Sequence, residues 1–418
     1  MAQNASTRFG GEAILPVHYF RVLRARGCRA RLIAHARNRA DLEETFGPAC
    51  DGIHYIEDTV WHRLVWQMGR PFPRRIAEGL SGTLLNAVNE RCQARLIRRT
   101  VAAGEADIIH QPIPVSPRAP SSIHGFGVPV VIGPMNGGMT YPPGWEEFES
   151  WSERRFVRLA RALARMLNRL APGKARAEVL LVANERTRAA LPVRHRRVET
   201  LVENGVDRST FRPALAPARR ADGPLRLVFM GRLVAWKAVD VTLAALAAAR
   251  ARGTEATLDI LGDGPERARL ERLSEELGLG GAVRHLGFRP QADCAEVLRA
   301  ADALILNPVY ECGGAVVLEA MSLGLPVIAS DWGGPADYLD AGTGILVPPA
   351  PRETFAMRLA EAIARLAADP ALRTRLGAAG AARIRERFDR ERKADRMLEI
   401  YAGALASSRA GAARTAAV

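Results

Sequence analysis

The chain has 418 residues, 48% of them hydrophobic, and a formal net charge of +14. That length suits two domains of roughly 200 residues rather than one core. No apolar run approaches the ~18 residues that a membrane-crossing helix needs, and the five scattered cysteines (Cys28, Cys50, Cys92, Cys294, Cys312) contain no CxxC, which gives no support to a disulfide framework or a zinc site. The basic surface suits phosphorylated ligands or anionic lipid. With 6% aromatic residues and no stacking signature, nucleic acid is not an expected partner. The opening MAQNASTRFGG lacks an apolar signal-peptide core, so the expected location is cytoplasmic.

In chain order, GEAILPVHYFRVLRARG (11–27) reads as a helix ended by Gly27. CRARLIAHA (28–36), ADIIHQP (106–112), VPVVIGP (128–134) and EVLLVAN (178–184) read as strands. A doubly wound domain should place a strand before the Gly10-Gly11 turn. MAQNASTRF, with Asn4, Ser6, Thr7 and Arg8 among few apolar residues, cannot form one buried on both faces. We therefore expect residues 1–8 to be irregular, with a gap or an exposed edge where that strand belongs. Either the true start lies upstream or the domain lacks its first strand.

SERRFVRLARALARMLNRLAPGKAR (152–176) reads as an amphipathic helix. Arg154, Arg158, Arg161, Arg165 and Arg169 recur on one face, and Phe156, Leu159, Leu163, Met166 and Leu170 on another. Such a helix can lie on anionic lipid at the inner face of a membrane, assisted by Trp61, Trp66 and Phe72 near Arg63, Arg70, Arg74 and Arg75. The plainer reading is a helix packed on the first domain with a solvated arginine face.

PALAPARRADGP (213–224) reads as a linker. Beyond it, LRLVFMG (225–231), TLDILGDG (257–264), AVRHLGF (282–288), ADALILN (301–307), PVIAS (326–330) and GILVP (344–348) are continuously apolar runs. They alternate with amphipathic stretches such as 239–250 and 265–277, the pattern of a parallel sheet covered by helices on both faces. The expected organisation is a first α/β domain over 1–212, a linker, a second doubly wound domain over 225–388, a helix over 389–408, and a disordered tail over 409–418.

The chemistry gathers in NPVYECGGAVVLEAMSLGLPVIAS (307–330). A strand ends there, a glycine turn follows, and a helix begins. Glu311 precedes the turn, and Glu319 lies eight positions on, inside the helix. Open α/β sheets bind ligands at the carboxyl ends of their strands. Gly313 and Gly314 permit close backbone approach, and the first amides of a helix suit a phosphate or diphosphate. GRLVAWK (231–237) adds Arg232 and Lys237 after another strand, and LGDGP (261–265) and DWGGPADYL (331–339) add two further glycine turns. Taken singly, each turn is ordinary α/β punctuation. Together they favour a phosphate-rich ligand.

This set of motifs resembles the retaining glycosyltransferases with the GT-B fold, most closely family 4. The likeness is strong from Leu225 to about Phe388 and weak before it, through GGEA, the DIIH at 107–110 and VENGVD (202–207). It implies two Rossmann-like domains facing a cleft, with the C-terminal helix returning to the first. It also implies transfer of a sugar from a nucleoside diphosphate sugar to a glycan, lipid-linked or small-molecule acceptor. Carried over by position, Arg232 and Lys237 would clamp the diphosphate and Glu311 would contact the donor sugar. Gly313, Gly314 and Ala315 would present backbone to sugar and phosphate, Glu319 would bind ribose hydroxyls, and Gly10 and Gly11 would approach the diphosphate. His110, Asn136 and Gly137 are candidates for sugar or acceptor contacts, and His110 can equally be a satisfied core histidine.

The chain departs from the family in carrying Ala238 where a glycine is usual, ECGG where EGFG is usual, Pro112 in place of a second histidine, and GPMNGGMTYPP (133–143) where a histidine is often found. No cofactor and no essential metal are expected, because protein cations can replace a metal at a leaving diphosphate. A GT-B phosphorylase, a nucleotide-sugar epimerase, or a binding protein that has lost catalysis are the alternatives.

Overall fold

The computed structural model describes residues 1–2, 4–8, 11–69, 74–148, 162–208, 210–212 and 223–416. Gly10 and residues 149–161, which hold Arg154, Phe156, Arg158, Leu159 and Arg161, lie outside them, as do Arg70, Phe72 and most of the expected linker. The chain divides into two compact units. Unit 1 is Met1–Gly138, Arg155–Glu203 and Ala394–Val418, and unit 2 is Met139–Arg154 and Asn204–Lys393. The expected boundaries thus need two corrections. Met139–Arg154 belongs with unit 2, and the passage into the main segment of unit 2 falls after Glu203 rather than in 213–224.

Unit 1 runs α1 (Ile14–Ala25), β1 (Leu32–His35), α2 (Arg39–Phe46), β2 (Ile53–Ile56), α3 (Val60–Gly69), α4 (Arg74–Ala102), β3 (Ile109–Gln111), β4 (Val130–Met135), α5 (162–170), α6 (Gly173–Arg176), β5 (Val179–Val182), α7 (Glu185–Ala189) and β6 (Val198–Thr200). Its strands form two parallel sheets, β1-β2 and β3-β4-β5-β6. Strands β1, β4 and β5 are buried along their whole length, as continuous apolar runs require.

The described residues among 1–8 form no strand, as expected. The expected exposed edge is corrected, however, because Ala2, Ala5 and Ser6 are buried. The Met1 nitrogen donates to the His110 carbonyl (2.7 Å) and the Ala2 N–H to the Ile33 carbonyl (2.8 Å), so these two residues touch both sheets. The rest of the gap is a cavity of about 490 Å³ lined by Met1, Ile33, His54, Ile109, His110 and Tyr401 among others. One face of the two sheets shares a single apolar cluster that includes Ile33, Ile56, Ile97, Ile132 and Leu180. The opposite face carries two separate clusters, one around Leu32, Phe20 and Leu42 and one around Val131, Leu181 and Met397.

Unit 2 runs β7 (Leu225–Met230), α8 (Val239–Ala251), β8 (Ala256–Leu261), α9 (Arg267–Glu276), β9 (Val283–Gly287), α10 (Gln291–Ala300), β10 (Ala303–Leu306), α11 (Ala315–Ser322), β11 (Val327–Ser330), α12 (Gly333–Tyr338), β12 (Ile345–Val347), α13 (Phe355–Ala368) and α14 (Pro370–Arg383). Its six strands are parallel, in the order β12-β11-β10-β7-β8-β9. Each coincides with one of the apolar runs. Phe229 lies opposite Ile260 and Ile305 opposite Ile328, all fully buried.

The last helix, α15 (Arg390–Ala416), packs Met397, Ile400, Tyr401 and Ala404 against Val131, Val179 and Leu181 of unit 1. That return to the first domain was expected. The disordered tail is corrected, since the helix continues to Ala416, as its many alanines and arginines favour.

Candidate active site at the switch point of the six-stranded sheet

The strand order of unit 2 reverses at β7, which has β8 on one side and β10 on the other. Such switch points open a crevice outside the carboxyl ends of the two strands. The loop after β7 is Gly231–Ala238, and the turn after β10 is Asn307–Gly314. The two loops meet in an ion pair between Lys237 Nζ and Glu311 Oε2, whose side chains are only 13% and 20% exposed. Arg232, on the same loop as Lys237, is exposed and forms no ion pair among the described residues.

The turns close tightly on one another. A Cβ on Gly262 would lie 1.9 Å from the Gly231 carbonyl oxygen, so only glycine lets the β8 turn seat the loop of Arg232. Gly314 holds a left-handed conformation (φ +87) at the start of α11, and no side chain caps that helix. The α11 N-terminus therefore presents uncapped amides with partial positive charge beside Glu311. Gly334 donates its N–H to the Glu311 carbonyl (2.8 Å), which ties the first turn of α12 to the same place.

Glu319 is the fifth residue of α11, one turn on from Ala315 and hence on the same helix face. Burial pushes its carboxyl up to about 7, against the opposing hydrogen bond from Gln291 Nε2 at 3.5 Å. Gln291 opens α10, and sequence reading did not single it out. A half-buried acceptor beside a side-chain amide suits a ligand that donates hydroxyl hydrogens.

The stretch Met139–Phe148, from the first half of the sequence, also belongs to unit 2. Trp145 is 2% exposed, donates from Nε1 to the Pro349 carbonyl (2.9 Å), and lies under the Arg352 guanidinium at 4.5 Å. Trp332 Nε1 donates to the Thr140 carbonyl (2.9 Å). A Cβ on Gly333 would sit 2.8 Å from Met139 Cε, so Met139 reaches the start of α12, which is bonded to the Glu311 carbonyl. Nothing in the local pattern of GPMNGGMTYPP signalled this placement.

The unit 1 candidates fare differently. His110 Nε2 meets the Gly133 carbonyl (2.6 Å) and Nδ1 meets the Tyr401 hydroxyl (2.7 Å). Burial lowers its pKa to about 3. Both ring nitrogens are spent inside unit 1, so the core reading of His110 replaces the ligand reading. Asn136 is buried and donates to Glu203 Oε1 (2.7 Å) while accepting from Asn184 and Thr187. Gly137 gives its N–H to Thr187 Oγ1 (3.0 Å) and its carbonyl to Arg186. These two residues fix the end of β4, and the Gly137 amide is committed there rather than to a ligand. Gly11 opens a single 3-10 turn leading into α1.

His35, Asp58 and His62 also lie close together. His35 accepts from the Arg37 N–H (3.2 Å) and faces Asp58 with Nε2 (3.3 Å). His62 accepts from the Thr59 N–H (3.0 Å) and meets Asn89 with Nε2 (3.1 Å). All four ring nitrogens have protein partners, which makes the group an internal hydrogen-bond cluster.

Comparison with known proteins shows what the fold and part of the chain are similar to. Over 96% of this chain and 98% of the other, the fold matches HepE of Anabaena, crystallised with UDP, with a TM-score of 0.66 at 17% identity. It matches a sucrose-phosphate synthase of Thermosynechococcus elongatus with a TM-score of 0.61 at 20% identity, over 97% and 96% of the two chains. The fold is therefore that of the GT-B glycosyltransferases. Residues 213–383 match the model of the family described as Glycosyl transferases group 1.

Among curated relatives, the alpha-D-kanosaminyltransferase of Streptomyces kanamyceticus is 31% identical over 60% of this chain and 62% of its own length. A D-inositol 3-phosphate glycosyltransferase of Saccharomonospora viridis is 37% identical over 51% and 52%. The lipopolysaccharide core biosynthesis glycosyltransferase LpsD of Rhizobium meliloti is 36% identical over 46% and 54%. The chain thus spans between about half and three-fifths of the length of these relatives.

Proposed function

We propose that the protein is a retaining, metal-independent glycosyltransferase of family 4. It would move a sugar from a nucleoside diphosphate sugar to a glycan, lipid-linked or small-molecule acceptor in surface polysaccharide or glycolipid synthesis in the cytoplasm. The observation that carries this reading is the Lys237–Glu311 pair at the switch point, beside the uncapped start of α11. In this reading the diphosphate lies against the α11 amides, with Arg232 and Lys237 as its cations. As the sugar–oxygen bond breaks, negative charge grows on the leaving diphosphate, and fixed cations stabilise it more than they stabilise the ground state. The Glu311 carboxylate, held by Lys237, stands where the donor sugar arrives, and Glu319 accepts ribose hydroxyls. HepE, which shares the fold, has been crystallised with UDP and with UDP-glucose, in keeping with a donor of this class.

Transfer assays with UDP-, GDP- and ADP-sugars, run with and without a chelator, test the proposal. The anomeric configuration of the product is read by NMR. Inversion of the anomeric centre would sink the retaining assignment, and loss of activity with chelator the metal-independent one.

A second reading, contact with an anionic membrane, is favoured by one observation. Leu163, Met166 and Leu170 of α5 are 39%, 51% and 74% exposed, and Arg165 and Arg169 on the same helix are exposed beside them. Apolar side chains flanked by cations suit an acidic lipid surface. Flotation with vesicles containing anionic lipid should recover the protein, and a Leu170→Asp variant should stay behind. Equal recovery of both proteins would discard the reading.

A further inference from the structure

Ala238 follows Lys237 and is the one non-glycine residue with positive φ among the described residues (φ 52, ψ 42). It is 1% exposed and serves as the N-cap of α8 without a side-chain cap. The left-handed conformation is unfavourable for any residue with a Cβ, so neighbouring structure must hold it. Asn307 does so from the end of β10. Its Nδ2 donates to the Ala238 carbonyl at 3.0 Å, and its Oδ1 accepts from Thr242 Oγ1 at 2.5 Å. Asn307 and Thr242 are both fully buried. The Ala238 carbonyl also receives the Thr242 N–H, but at 3.3 Å, so the carboxamide supplies the shorter of its two bonds. On the other side of Lys237, the Val309 N–H donates to the Trp236 carbonyl (2.9 Å). Lys237 is therefore clamped between two bonds from the β10 turn, the turn that carries its partner Glu311.

We infer that Asn307 is a positioning residue for Lys237: its carboxamide holds the strained Ala238 backbone and so fixes the Lys237 ammonium at the switch point. The inference rests on the reading of Lys237 as the cation for the leaving diphosphate. The position needs a donor and an acceptor in one planar group. An aspartate would set a carboxylate oxygen against the Ala238 carbonyl, and an alanine would leave the Thr242 hydroxyl without its acceptor.

A four-protein cycle tests this: wild type, Asn307→Ala, Ala238→Gly and the double variant. Each is assayed for donor kcat and KM and for Tm. Glycine adopts the left-handed conformation without strain, so Ala238→Gly should make the Asn307 bond dispensable. Asn307→Ala alone should lower kcat by about 10- to 100-fold, with donor KM changed less. In the Ala238→Gly background the same change should cost about threefold or less. A purely structural role for Asn307 would not be rescued in this way. An equal loss in both backgrounds, or an unchanged kcat for Asn307→Ala, would overturn the inference.

The Tm values decide the backbone half of the inference without any activity. If Asn307 holds Ala238, Ala238→Gly should raise Tm more in the presence of Asn307 than in its absence, because without the carboxamide the loop relaxes. Additive shifts would overturn that half even if the wild type turned over no nucleoside diphosphate sugar, an outcome that would separately sink the donor-site reading.

Discussion

Lys237 and Glu311 are 74 positions apart in sequence and form one ion pair, each brought to it by the loop that follows one of two adjacent parallel strands. The pair joins the cation expected at the diphosphate to the carboxylate expected at the sugar. Removing either partner therefore disturbs both ends of the site.

Arg232→Ala and Lys237→Ala should each lower kcat/KM for the donor by about 10²- to 10³-fold, some 2–4 kcal/mol of transition-state stabilisation. Lys237→Ala also strips the half-buried Glu311 of its counterion. The double variant Lys237→Ala/Glu311→Ala should accordingly lose less than the sum of the single losses. Steady-state kinetics with a working donor check this, and near-normal activity in both Arg232→Ala and Lys237→Ala would remove the diphosphate assignment.

The two glutamates should separate kinetically. Ribose hydroxyls are bound alike in ground and transition states, so Glu319→Ala should raise donor KM. The sugar moves during reaction, so Glu311→Ala should chiefly lower kcat. Negligible effects at both positions would return them to ordinary surface and helix-face roles.

Glu319 also carries a pH signature. Burial raises its folded-state pKa from 4.5 to about 7. Between those values the folded protein holds a proton that the unfolded chain has lost, so stability is full below pH 4.5 and falls as pH rises through 7. The loss from this one group is at most about 3 kcal/mol. Urea unfolding of wild type and Glu319→Gln from pH 5 to 8 should show a smaller decline in the variant. Parallel curves would mean that Glu319 is solvated in the folded state.

Trp145 fastens the 139–148 stretch to unit 2. Trp145→Ala should cost about 3–5 kcal/mol. Trp145→Phe, which keeps an aromatic body but loses the bond to Pro349, should cost about 1–2 kcal/mol. Chemical denaturation measures both, and a cost below 1 kcal/mol for alanine would mean that the stretch is held elsewhere.

Unit 2 was legible in the sequence because its central strands, β10 and β11 above all, are buried on both faces. Runs such as LRLVFM and ALIL can satisfy no other environment. The positions of Lys237 and Glu311 followed from those strand ends. Unit 1 was harder. The β2 strand, IHYI, and β6, VET, are short and partly exposed, so neither a continuous run nor a clear alternation marks them. The role of His110 depends on Tyr401, 291 positions away, and no local pattern encodes such a partner. The same holds for Trp145, whose hydrogen-bond acceptor, Pro349, is 204 residues on. Asn307 was quoted in the key motif but passed over, because its task is set by the backbone angle of Ala238, which sequence does not display.

The cavity between β1 and β3 has a consequence for how unit 1 opens. Along that line the described residues form no ladder, and side-chain packing, polar side-chain contacts such as Arg31–Glu105 and the bonds of Met1 and Ala2 carry the connection. Backbone ladders make neighbouring strands exchange their amide protons as a block, and a missing ladder is a natural border between such blocks. The amides of Leu32–His35 should therefore exchange with deuterium through a cheaper, separate opening, ahead of those of Val130–Met135. The first domain would then behave as two cooperative blocks joined by side chains rather than by a backbone ladder.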